Sequence, residues 1–240
     1  MFFIYYIIKE KGDKMADGIK YLGHSAFYIK YDKYGILIDP WFLHNKDVEF
    51  SIENENITHI LVTHGHTDHF GNTIQIAKAK QAQVVAIFET AIYCQKMGVN
   101  ALGVGMSAEI PLEFGSVRFL PAIHTNSLPD GEYGGIAASV LIDLQGIKIF
   151  HAGDSGLTKE YELIGELYKP YYAMLPIGGH YTMGVEEAVI AAKMLKAKEV
   201  IPMHYNTFDA INANPYDFNT KIITQGQTCH VMAINDVITF

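Results

Sequence analysis

Short apolar runs alternate with helical patterns along the chain. Apolar runs bounded by turn residues predict strands, whereas apolar residues at helical spacing predict helices that bury one face. The clearest helix covers residues 185–196, where apolar residues recur on one stripe from Val185 to Leu195. The predicted strands are residues 19–22, 26–31, 35–38, 59–63, 84–88, 109–114, 117–121, 136–144, 147–150, 172–176, 200–203 and 231–238, and the other predicted helices are residues 71–80, 90–97 and 159–167.

The order of these elements predicts one domain over residues 15–240. Both halves place strands first and then interleave helices, which is consistent with stacked sheets covered by helices on both sides. No Ser-, Gly- or Pro-rich linker separates the halves. Residues 1–14 begin with MFFIYYII, a run too short to span a bilayer and without the basic start or cleavage site of a signal peptide. We predict that they form an edge strand or an N-terminal extension, without stable membrane insertion.

Composition and net charge exclude several classes of protein and of partner. Hydrophobic residues make up 49% of the 240 residues and charged residues only 18%, which is typical of a globular protein with a large core. The net charge of -8 and a single arginine, Arg118, argue against a nucleic-acid partner, because phosphate contacts need clustered basic residues. The two cysteines, Cys94 and Cys229, form no CxxC pair, which excludes a disulfide scaffold and a thiolate zinc site. We expect buried thiols in a reducing compartment, the cytoplasm.

The eleven histidines are the main candidates for metal ligands. The strongest motif is TxHxHxDH, which places His64, His66, Asp68 and His69 directly after a predicted strand. Neutral imidazole and carboxylate are good ligands for zinc, iron and manganese. Asp68 and His69 can serve a different ion from His64 and His66, which favours a two-metal site.

Three more residues of ligand type follow apolar runs. His124 follows residues 117–123, Asp154 follows residues 147–150 and His204 follows residues 200–203. A single histidine after a strand is more often a structural residue that makes hydrogen bonds. The repetition of the same local setting, however, predicts a site built along one edge of a sheet sandwich.

These motifs resemble the metallo-β-lactamase fold superfamily of dinuclear hydrolases, over nearly the whole chain from Ile19. Several short sequence segments are similar to those of a branch of uncharacterised metal-dependent hydrolases, which is related to ascorbate-6-phosphate lactonase and to N-acylphosphatidylethanolamine phospholipase D. The matching segments are GHSAF at 23–27, IDP at 38–40, HAGD at 151–154, LPIGG and TMG within 175–184, and IPMHYNTF at 201–208.

The resemblance implies an α/β fold, an αββα four-layer sandwich of two mixed sheets flanked by helices. It also implies two divalent ions, zinc first and manganese or iron as alternatives, with a hydroxide between them that attacks a small ester, lactone, amide or phosphodiester. The implied ligands are His64, His66 and His124 for the first ion, Asp68, His69 and His204 for the second, and Asp154 as a bridge. Asp68 would also be the catalytic residue that orients the nucleophile. The branch often has serines after the third histidine, but this chain has Thr125 and Asn126 there, so the substrate contacts at these positions are open.

Other residues are candidates for supporting roles. Asp39 either accepts a proton from a ligand imidazole or caps a strand end. His24 and His180 either line the substrate pocket or make ordinary hydrogen bonds. Trp41 and its two neighbours either form an apolar wall by the metals or pack in the core. We assign no ligand role to the remaining histidines, which are His44, His59, His151 and His230.

Two other functions compete with a small-molecule hydrolase. An RNA-processing nuclease of the same fold is disfavoured by the net charge and by the single arginine. A non-hydrolytic metal-binding or redox protein, as in flavodiiron proteins, would carry an acidic residue where this chain has His66. The sequence leaves the substrate, the native metal and the formation of a homo-oligomer open.

Overall fold

A computed structural model describes residues 15–240, so the predicted edge strand or extension at residues 1–14 lies outside the described residues. The strands are β1 (Gly18–Tyr21), β2 (Phe27–Tyr31), β3 (Tyr34–Ile38), β4 (His59–Val62), β5 (Gln83–Ile87), β6 (Ala101–Val104), β7 (Ile110–Leu112), β8 (Gly115–Pro121), β9 (Ala138–Leu144), β10 (Ile147–His151), β11 (Tyr172–Pro176), β12 (Glu199–Met203), β13 (Thr228–Cys229) and β14 (Val237–Thr239). The helices are α1 (Thr67–Phe70), α2 (Thr73–Lys80), α3 (Phe88–Lys96), α4 (Glu160–Leu167), α5 (Val185–Leu195) and α6 (Pro215–Thr224), and a 3-10 turn covers Asp209–Ile211.

The described strands form two seven-stranded sheets with matching organisation. The first has the order β14-β1-β2-β3-β4-β5-β6 and the second the order β13-β12-β11-β10-β9-β8-β7. In each sheet four neighbouring strands are parallel, β3 to β6 in the first and β10 to β13 in the second, and the other pairings are antiparallel. The predicted fold of two mixed sheets flanked by helices is therefore confirmed.

Both faces of the central strands are buried, as in β4 and β11, which explains their nearly continuous apolar runs. On β2, Phe27 and Ile29 belong to a central cluster that also contains Phe119 of the second sheet. Tyr28, between them, faces the other way and packs in an outer cluster with Ile76 of α2. Because side chains alternate along a strand, one strand serves both layers. Helices α4, α5 and α6 cover the outer face of the second sheet.

The topology brings the ends of several strands to one edge. Neighbouring parallel strands end at the same edge of a sheet, as β3 and β4 do in the first sheet and β10 to β12 in the second. Strand β8 points the same way as β10, because each is antiparallel to β9. The segments that leave these strand ends carry the predicted site residues.

Some elements differ from the sequence prediction. Strand β6 and helix α6 were not predicted, and the last strand is β14 rather than residues 231–238. Helix α6 begins after Asn214, whose side chain accepts a hydrogen bond from the Tyr216 amide, with Pro215 in the first turn. This capping pattern stabilises the helix start and ends the irregular segment before it. Within residues 15–240, no helix is long and apolar enough to cross a membrane.

Candidate metal centre

The motif residues follow β4, and the chain changes direction at His66. Thr63 and His64 follow the strand directly, and His66 has extended backbone before the short helix α1 begins. The amides of His69 and Phe70 donate hydrogen bonds to the His66 carbonyl, which starts the helical turn. This abrupt change of direction sends the side chains on either side of it to different parts of the site.

Three imidazoles form a first cluster, His64, His66 and His124. The Nε2 of His64 lies 3.1 Å from the Nδ1 of His66, and the Nε2 of His124 lies 3.3 Å from the same Nδ1. His64 is buried, whereas His66 and His124 are half-buried. The three nitrogens can therefore contact one ion from the protein side, and the cluster keeps an open side toward solvent.

A second cluster contains Asp68, His69, His204 and also His24. The Nε2 of His204 lies 3.8 Å from Asp68 Oδ2, and the Nε2 of His24 lies 3.2 Å from the same oxygen. His69, His204 and His24 are all buried, whereas the Asp68 side chain is 26% exposed. The opening of this cluster is therefore at Asp68.

Asp154 lies between the two clusters. Its Oδ2 is 4.0 Å from His64 Nε2 and 3.4 Å from His124 Nε2, and on the other side 3.2 Å from His204 Nε2. Its Oδ1 is 3.0 Å from His69 Nε2. The carboxylate is 3% exposed. The structure thus brings all seven predicted ligand residues into one small volume, although they come from both sheets.

The chemistry and spacing of these groups fit bound cations. A tetrahedral zinc site with Zn–N bonds of about 2.0–2.1 Å separates its ligand nitrogens by roughly 3.3 Å, close to the spacing in the first cluster. Among the described residues, the buried Nδ1 of His204 has no hydrogen-bond partner. His69 Nε2 faces Asp154 Oδ1 at 3.0 Å and His204 Nε2 faces Asp154 Oδ2 at 3.2 Å, but neither pair has the geometry of a hydrogen bond. Buried polar atoms are rarely left unpaired, so these atoms indicate a missing partner such as a metal ion.

Hydrogen bonds around Thr63 fix the orientation of two imidazoles. The Thr63 hydroxyl donates to Asp39 Oδ2 at 2.6 Å, so its oxygen accepts from Nδ1 of His64 at 3.0 Å. Asp39 Oδ2 also accepts from Nδ1 of His69 at 2.7 Å. Both imidazoles therefore direct Nε2 toward Asp154. Of the two roles open for Asp39, its position matches the acceptor role, and its Oδ1 is already engaged by the Thr63 amide.

The electrostatics match this geometry. Burial lowers the pKa of His64, His66 and His124, which keeps their rings neutral and their lone pairs free to bind a cation. Burial alone would raise the pKa of Asp154, but the neighbouring imidazoles of His69 and His204 lower it well below its usual range. Burial opposes the charged form of His69, yet Asp154 and Asp39 raise its pKa well above the ordinary value. The negative charges of Asp154 and Asp39 thus lie on either side of the His69 ring and favour a cation there.

His24 and His180 occupy very different surroundings. Besides its contact with Asp68, His24 has its Nδ1 2.7 Å from the Thr207 hydroxyl, and burial lowers its pKa to about 4. It therefore connects Asp68 to the segment after β12. His180 is exposed in a turn, and its ring contacts Tyr181. A pocket-lining role for His180 stays a prediction.

The other histidines have structural partners. The buried ring of His151 contacts the Ser25 carbonyl through Nε2 at 2.9 Å, and its Nδ1 accepts from the Gly153 amide at 3.1 Å. His59 pairs with Glu113, His230 pairs with Glu199, and His44 stacks on Trp41. Trp41 lies against His24 with ring centroids 5.1 Å apart, whereas Phe42 is buried in the outer core cluster. Only Trp41 of that apolar trio contacts the site.

Two supporting residues were not predicted. Asn126 accepts from the Gly65 amide at 2.7 Å and donates to the Gly134 carbonyl at 2.7 Å, so it fastens the turn between His64 and His66 to the loop after β8. Ser155 accepts from the Ile123 amide at 3.0 Å, which joins the segments of Asp154 and His124. No local pattern indicates the Asn126 contact, whereas Ser155 directly follows the predicted ligand Asp154 in the sequence. Both polar groups of the Asn126 amide are therefore engaged within the protein, and substrate contacts at Thr125 and Asn126 stay open.

Backbone geometry also shapes the site. A Cβ on Gly65 would lie 2.7 Å from the Ser127 carbonyl oxygen, and Gly153 combines a φ of 58° with a Cβ position 2.8 Å from the Ala138 carbonyl oxygen. Neither position tolerates a side chain. His24, Asp39 and His204 have φ values of 54°, 45° and 54°, a left-handed conformation that costs about 1–3 kcal/mol per residue and is typical of functional sites.

Comparison with known proteins agrees with this geometry. A family profile described as a beta-lactamase superfamily domain matches residues 18–204. A metal-dependent hydrolase of Bacillus cereus is 40% identical over 226 residues, which cover 92% of this chain and 99% of the relative. A metal-dependent hydrolase of Alkaliphilus metalliredigens is 38% identical over 225 residues, with the same coverage of 92% and 99%.

A solved structure gives the same result for the fold. A metallo hydrolase from the hyperthermophilic archaeon Ignicoccus hospitalis is 35% identical and superimposes with a TM-score of 0.85, covering 94% of this chain and 99% of that structure. The family resemblance and the hydrolase class predicted from the sequence are confirmed. This chain is a metal-dependent hydrolase and belongs to the metallo-β-lactamase fold superfamily.

Proposed function

We propose that this hydrolase works with two divalent ions and that Asp154 bridges them. The supporting observation is the position of Asp154, whose carboxylate has imidazoles of the first cluster on one side and of the second cluster on the other, at 3.0–4.0 Å. A carboxylate with two oxygens can bind two cations at once, and paired ions in two-metal sites are about 3.5–4 Å apart.

The ligand assignment follows the two clusters. His64, His66 and His124 would hold the first ion, and Asp68, His69 and His204 would hold the second. Asp39 and Thr63 would orient the ligand imidazoles through their Nδ1 atoms without touching an ion. The site draws on both sheets, so we also propose that residues 15–240 act as a single domain.

Two bound divalent ions would lower the pKa of a water molecule and stabilise the negative charge that develops on the substrate. The protein residues would supply orientation and proton transfer. Asp68 is the best-placed catalytic residue, because it is partly exposed while the other carboxylates of the site are buried. His24 contacts Asp68 Oδ2, so Oδ1 is the oxygen that would accept a proton from the nucleophile and orient it.

The proposed substrate is a small molecule with an ester, lactone, amide or phosphodiester bond, and the proposed metal is zinc, with manganese or iron as alternatives. Nitrogen and carboxylate ligands suit all three metals. The acidic chain and its single arginine disfavour a polyanionic substrate such as RNA.

Metal analysis and a substrate panel test this proposal. The protein is expressed in medium with added zinc, manganese or iron, and the bound metal is measured by inductively coupled plasma mass spectrometry. We expect about two ions per chain and hydrolysis of lactones, aryl esters or bis-p-nitrophenyl phosphate that stops after chelation. Bound metal near zero in every medium would exclude a metal mechanism. Cleavage of RNA without turnover of any small substrate would favour the nuclease alternative instead.

A further inference from the structure

A cavity of about 530 Å³ lies beside the second cluster. Its size is within the range of roughly 300–1,000 Å³ that is typical of small-molecule sites. The turn between β1 and β2, the segment after β3, the segment after β12 and the residues before β14 form its walls. Two of the lining residues, His24 and Thr207, are hydrogen-bonded to each other.

The cavity is close to the proposed reaction centre. Thr207 lines the cavity and lies 2.7 Å from His24 Nδ1, while the opposite nitrogen of His24 lies 3.2 Å from Asp68 Oδ2. A molecule in the cavity is therefore separated from Asp68 by one imidazole ring. Trp41 lies at the same boundary, with its ring 5.1 Å from the His24 ring and 5.7 Å from the Phe208 ring.

The lining is partly apolar and partly polar, with tyrosine, histidine, asparagine and threonine side chains in its polar part. Leu22, Met232, Ile234 and the ring of Trp41 provide aliphatic and aromatic surface. Met232 and Leu22 are buried, so this part of the wall belongs to the stable core. An apolar group of a ligand would leave water by contacting this surface, which favours binding by about 25 cal/mol for each Å² buried.

The cavity wall carries one positively charged side chain, Lys46. Lys46 is the single ammonium among the described lining residues, and no carboxylate side chain lines the cavity with it. Within residues 15–240, no side chain or carbonyl accepts a hydrogen bond from Lys46, although acidic residues outnumber basic ones in the whole chain, 26 to 18. An ammonium group at a cavity without carboxylates attracts an anion and disfavours a second cation.

We propose that this cavity binds the non-reacting part of the substrate and selects a small anion with an apolar body. This inference rests on the proposed hydrolytic function, because the cavity adjoins Asp68. Lys46 would contact the anionic group, and Trp41, Met232 and Ile234 would contact the apolar body. Binding energy from such remote contacts holds the reacting bond near the catalytic groups.

Trp41 provides a direct test, because it is the only tryptophan of the chain. The metal-loaded protein is titrated with 4-phenylbutyrate and with the neutral analogue 4-phenylbutan-1-ol, and tryptophan fluorescence is excited where a phenyl ring does not absorb. We expect the carboxylate to bind about tenfold more tightly than the alcohol, the ratio that one charge-assisted contact supplies. Equal affinity for the two ligands would overturn the proposal.

Variants separate the cavity from the metals as the site of the anion. Lys46→Met should weaken binding of the carboxylate about tenfold and leave the alcohol unchanged, whereas Lys46→Arg should retain the preference. Ile234→Phe fills part of the cavity and should weaken both ligands. The matched control is Lys33→Met, an exposed lysine at the other end of β3. If Lys46→Met behaves like Lys33→Met, the anion binds elsewhere and the proposal is wrong. Binding is read without turnover, so a failed hydrolysis assay does not affect this result.

Discussion

The two clusters of candidate ligand residues differ in charge and in solvent exposure. The first cluster has three neutral imidazoles, two of them half-buried, and no carboxylate of its own; Asp154, which we propose as the bridge, lies beside it. The second cluster has its own carboxylate, Asp68, which contacts His24, and a buried imidazole, His69, which donates a hydrogen bond to Asp39. Charge and pre-oriented ligands both favour tight binding, so we expect the second cluster to bind its ion more tightly and the first to exchange its ion faster.

The largest expected effect is that of Asp154→Ala, because this residue serves both clusters. Hydrolysis should fall at least about a thousandfold, since the loss of a bridging ligand removes several kcal/mol of charge stabilisation. Bound metal, measured by mass spectrometry after dialysis, should fall below one ion per chain. The control is Asp217→Ala, which removes an exposed carboxylate on α6. Unchanged metal content in Asp154→Ala would remove this residue from the bridge and leave two independent sites.

Asp39→Asn should produce the next largest effect, and it should act on the second cluster. Asparagine keeps the shape of the side chain but loses the charge that holds the His69 ring, whose Nδ1 lies 2.7 Å from Asp39. Partners of this kind change metal affinity by about 10–100-fold. The measurement is a zinc titration against a chromophoric chelator, which resolves a tight and a weak site. We expect the zinc affinity of the tight site, the second cluster, to fall. If only the affinity of the weak site changed, the second cluster would be the weaker of the two.

Strand ends explain why so much of this site was predictable. His124, Asp154 and His204 were recognisable because each follows an apolar run, and the fold brings such ends to one edge. Strand β11 was predicted with its observed bounds, Tyr172–Pro176, because both neighbouring segments are clear turns. By contrast, β6 contains only four residues, Ala101–Val104, and has too little apolar pattern to be distinguished from a loop.

Other features needed the three-dimensional structure. Asn126 supports Gly65 across a sequence separation of 61 residues, and no local pattern indicates such a contact. The left-handed backbone of Asp39 and His204 has only a weak sequence signal, because aspartate and histidine adopt this conformation more often than most residues but far less often than glycine. The helix after Asn214 is different, because Asn214 and Pro215 together form a helix-start signal that lies in the sequence itself.

Thr63→Val should have a smaller effect than Asp39→Asn, and it should involve both clusters. The substitution preserves volume but removes the hydroxyl that donates to Asp39 and accepts from His64. We expect a loss of about 1–3 kcal/mol in the free energy of unfolding, because a buried charged group loses one partner. Zinc affinity at both sites should fall by no more than about tenfold. Thr63→Ser keeps the hydroxyl and should restore affinity; if it does not, the effect comes from packing rather than from the hydrogen bonds.

The smallest effect on activity is expected for Asn126→Ala, which touches the first cluster alone. The variant leaves the buried Gly65 amide and the Gly134 carbonyl without their partner, which costs about 1–3 kcal/mol for each group and should appear in urea unfolding. Asn126→Asp still accepts from Gly65 but places a buried carboxylate oxygen against the Gly134 carbonyl oxygen, so it should be no more stable than Asn126→Ala. Because His64 and His66 flank Gly65, the weak zinc site should lose affinity while the tight site keeps it. If the tight site also lost zinc affinity, the same hydrogen bonds would position both clusters. The two clusters would then differ only in charge.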